Sequence, residues 1–218
     1  MKNQDINIRD PFVLVYDEKY YMYGTRAKNF GYKTCGFDVY IGTDLENWSE
    51  PKQVFDSEKF GYNTQVNWAP EVHMVGDSFY MFATFTKPDG LRGTYILKSD
   101  SPDGEFMPHS KGAITPDGWE CLDGTLYRED GKLYCVFCHE HTQILNGTIC
   151  YVQLNDDLTQ AVTQPIELFD AGSFLKREAS ESCHNVTDGP FFYRMKNGRL
   201  LMIWSTFLKG QYAECLVR

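Results

Sequence analysis

Positive charge is scarce in this chain: 21 lysines and arginines stand against 30 aspartates and glutamates, a formal net charge of −9. Nucleic acids and anionic membrane surfaces recruit basic footprints, so neither is an expected partner, and a neutral or cationic ligand suits the chain better. Long apolar runs are missing as well. No stretch of 18 apolar residues occurs, which excludes a transmembrane helix on hydropathy. The opening MKNQDINIRD has none of the apolar core of a secretory leader, so the expectation is a cytoplasmic protein with no membrane partner. Helical periodicity is also lacking, since no ten-residue stretch carries a convincing amphipathic pattern. What remains is a chain of 218 residues rich in β-branched and aromatic side chains, long enough for one sizeable core and expected to form a single all-β domain over 1–218.

Cysteine is present without the spacing of a disulfide framework. Cys35, Cys121, Cys135, Cys138, Cys150, Cys183 and Cys215 are odd in number and scattered, which suits a reducing compartment and thiols used as small apolar residues. Cys135-Val136-Phe137-Cys138-His139 matches the c-type haem string. It lies inside the strand-like run LYCVFCH, however, and reads as core.

The organising feature is an internal repeat. DPFVLVYDEKYYMYGT from residue 10 aligns without a gap on APEVHMVGDSFYMFAT from residue 69, and DGTLYREDGKLYCVFC from residue 123 keeps the same register. GPFFYRMKNGRLLMIWST from residue 189 repeats the unit with a turn one residue longer. Each copy is two strand-like runs around a short polar turn, followed by further strand-like segments, which is the description of a β-propeller blade. First strands of blades line a common axis, so the openings near 10, 69, 123 and 188 are expected to gather Asp10, Glu71, Asp123 and Asp188. Aspartate before glycine or proline is ordinary turn chemistry. Its recurrence at the same end of successive hairpins is what points to a site.

Those openings, Arg9-Asp10-Pro11, Trp68-Ala69-Pro70-Glu71, Leu122-Asp123-Gly124 and Thr187-Asp188-Gly189-Pro190, resemble the blade openings of glycoside hydrolase family 43. The resemblance spans residues 8 to 206 and implies a five-bladed β-propeller that hydrolyses arabinose- or xylose-containing oligosaccharides with inversion. It implies Asp10 as general base, Asp123 as the carboxylate that tunes the acid, and Asp188 at the position of the general acid. The family places glutamate at that last position, so Asp188 is one methylene short, and Glu140 and Glu71 are further candidates for the proton donor. Four openings are visible where the family has five blades. That leaves an incompletely closed ring with exposed sheet edges, either truncated or closed by a second copy in a homo-oligomer. The family's calcium-associated histidine belongs to the fifth blade, so no cofactor is required and calcium is not supported by this chain.

Sugar binding asks for aromatic faces and hydrogen-bonding groups, which assigns Trp68, Glu71, Arg26, His139 and Glu140 to the substrate. Alternation along a strand would put His139 and His141 on one face around Glu140, a weak zinc signal, and no metal site is assigned. Trp48 and Trp204 read as structural, and the loops 26–36 and 56–67 as pocket walls. Two rival readings stand beside the hydrolase: a catalytically idle carbohydrate-binding propeller, suggested by Asp188 and the missing blade, and a protein-interaction propeller.

Overall fold

The computed structural model describes residues 1–27 and 35–218. The 28–34 portion of the first wall loop lies outside the described residues. By contact density the chain divides into two compact units, residues 1–90 with 95–110, and residues 91–94 with 111–218.

The first unit opens with a four-stranded antiparallel sheet in the order β1 (Ile8–Tyr16), β2 (Lys19–Arg26), β3 (Phe37–Gly42), β4 (Lys52–Phe55). The next sheet has the same order, β5 (Asn67–Val75), β6 (Ser78–Thr86), β7 (Arg92–Ser99), β8 (Met107–Pro108), and the first three residues of β7 are counted with the second unit. The second unit holds a sheet of β9 (Cys121–Glu129), β10 (Lys132–His139), β11 (Thr148–Leu154) and β12 (Ile166–Asp170), and a three-stranded sheet of β13 (Asp188–Arg194), β14 (Leu200–Leu208) and β15 (Gln211–Val217). The α-helices are single turns, α1 (His141–Ile144) and α2 (Ala171–Leu175), as the absence of helical periodicity requires.

Local chemistry sets the hairpins. Tyr16 pairs with Lys19 across a two-residue turn in which Asp17 and Glu18 have φ of 48° and 58°, the geometry whose twist matches that of the flanking strands. Asp130-Gly131 closes the β9–β10 hairpin in the same way, with φ of 50° and 74°. The β13–β14 connection runs over residues 195–199, and the hairpin is one residue longer between matched pairs, Phe12 with Tyr23 and Phe191 with Ile203.

Alternation then buries one face of each strand. In the first unit Phe37, Phe55 and Phe85 pack with ring centroids 5.6 to 6.1 Å apart, and all three are fully buried. In the second, Trp204 is fully buried against Phe169 and Phe174, in one cluster with Leu122, Val136, Cys138 and Ile149. Trp48 packs on Met22 and Tyr40, so both tryptophans expected to be structural are so. Cys135 and Cys138 of the haem-like string have no exposed surface and belong to the core.

Candidate active site

Every first strand carries the same irregularity. Register slips between Arg9 and Phe12, Trp68 and Glu71, the partners of Val136 and Cys138, and Asp188 and Phe191, so two residues oppose one each time. At the slip sits a left-handed residue: Asp10, Ala69, Asp123 and Gly189, with φ of 51°, 45°, 54° and 52°. Aspartate tolerates this conformation because its short polar side chain bonds locally, and glycine has no Cβ to clash. These bulges re-aim side chains at the strand openings, as bulges beside functional sites do.

The register separates the four expected acids. Asp10 and Asp123 share the left-handed place, Asp188 stands one residue before it, and Glu71 two residues after it. Trp68 occupies in its sheet the place that Asp188 has in its own.

In the first unit the Asp10 carboxylate is exposed, and its Oδ2 accepts from Thr25 Oγ1 at 2.8 Å. Thr25 Oγ1 in turn accepts from the Ala69 backbone N–H at 2.8 Å, so the hydroxyl of a fully buried residue orients the carboxylate. Arg26 is committed to Asp38 through a two-pronged pair, 2.7 Å from Nε and 2.5 Å from Nη2, and also donates to the Cys35 carbonyl. Glu71 lies 3.2 Å from His73 Nε2, and Trp68 is half-buried.

In the second unit the acids meet. Asp123 Oδ2 accepts the Gly189 backbone N–H at 3.0 Å, and Asp188 Oδ2 accepts the Tyr212 hydroxyl at 2.8 Å. Burial raises the Cys138 thiol, and the nearby charges of Asp123 and Asp188 raise it further, so both carboxylates are within electrostatic reach of one sulfur. Burial and the adjacent Asp188 likewise raise the Tyr212 phenol.

Beside this cluster is a guanidinium held between two acids. Arg92 donates from Nε to Glu120 Oε1 at 2.7 Å and from Nη2 to Glu140 Oε2 at 2.8 Å, and Thr142 Oγ1 donates to Glu120 Oε2 at 3.0 Å. Burial opposes the Arg92 charge, but the bonds and charges of the two glutamates hold its pKa up. Burial would raise Glu120, and Arg92 outweighs it and lowers it. Glu140 is 3 % exposed.

His139 and His141 do not share a strand face. β10 ends at His139, whose ring stacks on Trp119 at 4.0 Å and whose Nε2 meets Gln143 Oε1 at 2.8 Å. His141 opens α1 and faces His184, Nδ1 to Nδ1, at 3.0 Å. Burial lowers the pKa of both His139 and His141. Among the described residues no three metal-ligating side chains converge. Sequence reasoning missed Thr25, Arg92, Glu120 and Tyr212. Thr25 carried a signal, since Thr84 and Cys138 repeat its place, whereas Tyr212 has no counterpart in the repeat.

Four antiparallel sheets, each opened by a bulged first strand, are the blades of a β-propeller. The model of glycosyl hydrolases family 43 matches residues 5–215, and the chain belongs to that family. It is similar to the crystal structure of an endo-arabinase from Bacteroides thetaiotaomicron VPI-5482, at 36% identity and a TM-score of 0.85, covering 99% of this chain and 76% of that one. An endo-1,4-beta-xylanase from the same organism is 28% identical with a TM-score of 0.75, over 97% of this chain and 68% of that one. An alpha-L-arabinofuranosidase from Lactobacillus brevis, 20% identical over 99% of this chain and 70% of that one, shares the fold at a TM-score of 0.74. A search of curated proteins by sequence found no match. The fold class is thus the β-propeller with four blade sheets in this chain, and the family is one of glycosidases.

Proposed function

We propose that this chain hydrolyses arabinose- or xylose-containing oligosaccharides with inversion, Asp10 acting as general base. The observation that carries the reading is the repeated bulge, which presents Asp10 on a buried threonine hydroxyl and Asp123 on a backbone N–H. Inversion requires one carboxylic acid to protonate the leaving oxygen while a carboxylate about 6.5–9.5 Å away takes a proton from water on the opposite face of the ring. In this reading Asp188 is the proton donor and stands near Asp123, both carboxylates being within electrostatic reach of the Cys138 sulfur. Trp68 and Glu71 bind the sugar, while Glu140, buried on Arg92, and His139, stacked on Trp119, act on it through those partners. Arg26, whose guanidinium is taken up by Asp38, shapes the first sheet and acts on substrate only through that pair. Seven free thiols, five of them buried, support action in the cytoplasm. Among the described residues no helix is long and apolar enough to cross a membrane.

The test is hydrolysis of arabino- and xylo-oligosaccharides, with the product anomer followed by NMR, by the wild type and by Asp10→Asn. Turnover with an inverted anomer, reduced about 10²–10⁴-fold by Asp10→Asn, is the expected result. Asp188 in the family's glutamate position favours a second reading, a carbohydrate-binding propeller without activity. Sugar binding with no turnover by the wild type would select it.

A further inference from the structure

The second unit holds a cavity that the hydrolytic reading does not use. It opens between the β9–β12 sheet and the β13–β14 hairpin, and its volume of about 300 Å³ falls at the lower end of the range of small-ligand sites. Tyr127 and Tyr134 stand opposite each other in the β9–β10 ladder, and Tyr151 stands opposite Val136 between β10 and β11. Phe192 of β13 closes the far side, its ring 4.6 Å from that of Tyr127. The walls are therefore aromatic and aliphatic, yet they carry polar groups. The Tyr127 hydroxyl donates to Glu129 Oε1 at 3.0 Å and so fixes an exposed carboxylate at the rim. Tyr134 and Tyr151 are half-buried in the wall, and among the described residues neither phenol has a hydrogen-bond partner.

We propose that this cavity is a second binding site, which takes one neutral sugar unit of an oligosaccharide. A sugar ring presents C–H faces that pack on aromatic rings and, around its edge, hydroxyls that exchange hydrogen bonds. The cavity offers both kinds of wall. A wholly apolar ligand would strip water from the phenols and from Glu129 without replacing it, which costs free energy. Charge narrows the choice further, because the lining includes Glu129 and no lysine or arginine, which disfavours an anionic ligand. Tyr127 follows Asp123 by four residues in β9, and Phe192 follows Asp188 by four in β13. At the ordinary strand rise that is roughly 13 Å, so a sugar held here does not touch those acids. The site adds affinity for substrate and takes no part in bond cleavage. The choice of an oligosaccharide as ligand rests on the hydrolase reading above.

The experiment uses the full chain carrying Asp10→Asn, so that sugars are bound and not consumed; asparagine tolerates the left-handed conformation of that place. Backbone amide NMR signals are followed during separate titrations with xylotetraose, arabinotetraose and indole. One of the tetraoses should shift the amides of Tyr127, Tyr134 and Tyr151 saturably. In this background Tyr134→Ala should weaken that binding about tenfold by removing a stacking face, and Tyr134→Phe about threefold by removing one hydrogen bond. Amide shifts preserved elsewhere show that the variants are folded. The inference fails if neither tetraose shifts those residues, or if Tyr134→Ala leaves the titration midpoint unchanged. It fails equally if indole alone fills the cavity, which would mark a site for apolar ligands. Saturable tetraose shifts at these tyrosines, with no turnover by the wild-type chain, would overturn the hydrolase reading and leave this inference standing. Wild-type turnover without those shifts would do the reverse.

Discussion

One hydroxyl in the first sheet serves two backbones. Thr25 Oγ1 donates to Asp10 and accepts from the Ala69 N–H, so it ties the acid-bearing strand opening to the next one. Thr25→Val keeps the shape and removes both bonds. Leaving the Ala69 N–H without its partner costs about 1–3 kcal/mol, and urea denaturation should show that loss together with slower turnover. Thr25→Ser should restore both. A valine variant as stable and as active as wild type would mean that Asp10 is oriented by something else. At this scale the sequence reading named the carboxylates and missed their holders. Asp10 and Asp123 announce themselves through repetition, whereas Arg92 and Tyr212 take their roles from partners 48 and 24 residues away.

The four strand openings share a single backbone device, and three of the four residues at it are Asp or Gly. Ala69 is the exception. A left-handed conformation strains a residue with a Cβ by about 1–2 kcal/mol. Ala69→Gly relieves that strain but adds freedom to the unfolded chain worth roughly 0.5–1 kcal/mol. The net expectation is a gain of roughly 0–1.5 kcal/mol in denaturant unfolding, and a loss would show that Ala69 is not strained. Gly124 behaves oppositely, because a Cβ there would meet Thr94 Cγ2 at 2.5 Å and Oγ1 at 2.6 Å. Gly124→Ala should therefore destabilise by about 1–3 kcal/mol through overpacking. The hairpins and their turns were legible in alternation and turn residues. The bulges were not. The repeat alignment already set Ala69, Asp123 and Gly189 under Asp10, and the register agrees. What it could not show is that a bulge inserts one residue there and changes which side chains face a given way, with Glu71 two residues after that place and Asp188 one before it.

Taken over the whole chain, titration and thiol chemistry report on burial. Burial lowers His139 and His141, so the unfolded chain binds protons there first, and stability should fall as pH drops below the ordinary histidine value of 6.5. Glu120 is lowered in the folded state, so its contribution is intact above the ordinary 4.5 and is lost as pH falls through its depressed value. Glu120→Gln should remove that second, more acidic loss from a series of urea midpoints against pH, and an unchanged acid limb would refute the role of the Arg92 pair. Thiol titration should find Cys35 and Cys183 accessible in the native protein and the five buried cysteines reactive only after unfolding.

Composition and pattern by themselves determined the all-β class, the four hairpins, the thiol-rich core and the identity of the two repeated aspartates. Each of these follows from alternation, turn chemistry and recurrence, which are properties of short stretches. Tertiary structure alone decided what each acid touches: Thr25 on Asp10, the Gly189 N–H on Asp123, Tyr212 on Asp188, and Arg92 between Glu120 and Glu140. Those contacts depend on bulge register and on packing between strands far apart in sequence, and no local pattern encodes either.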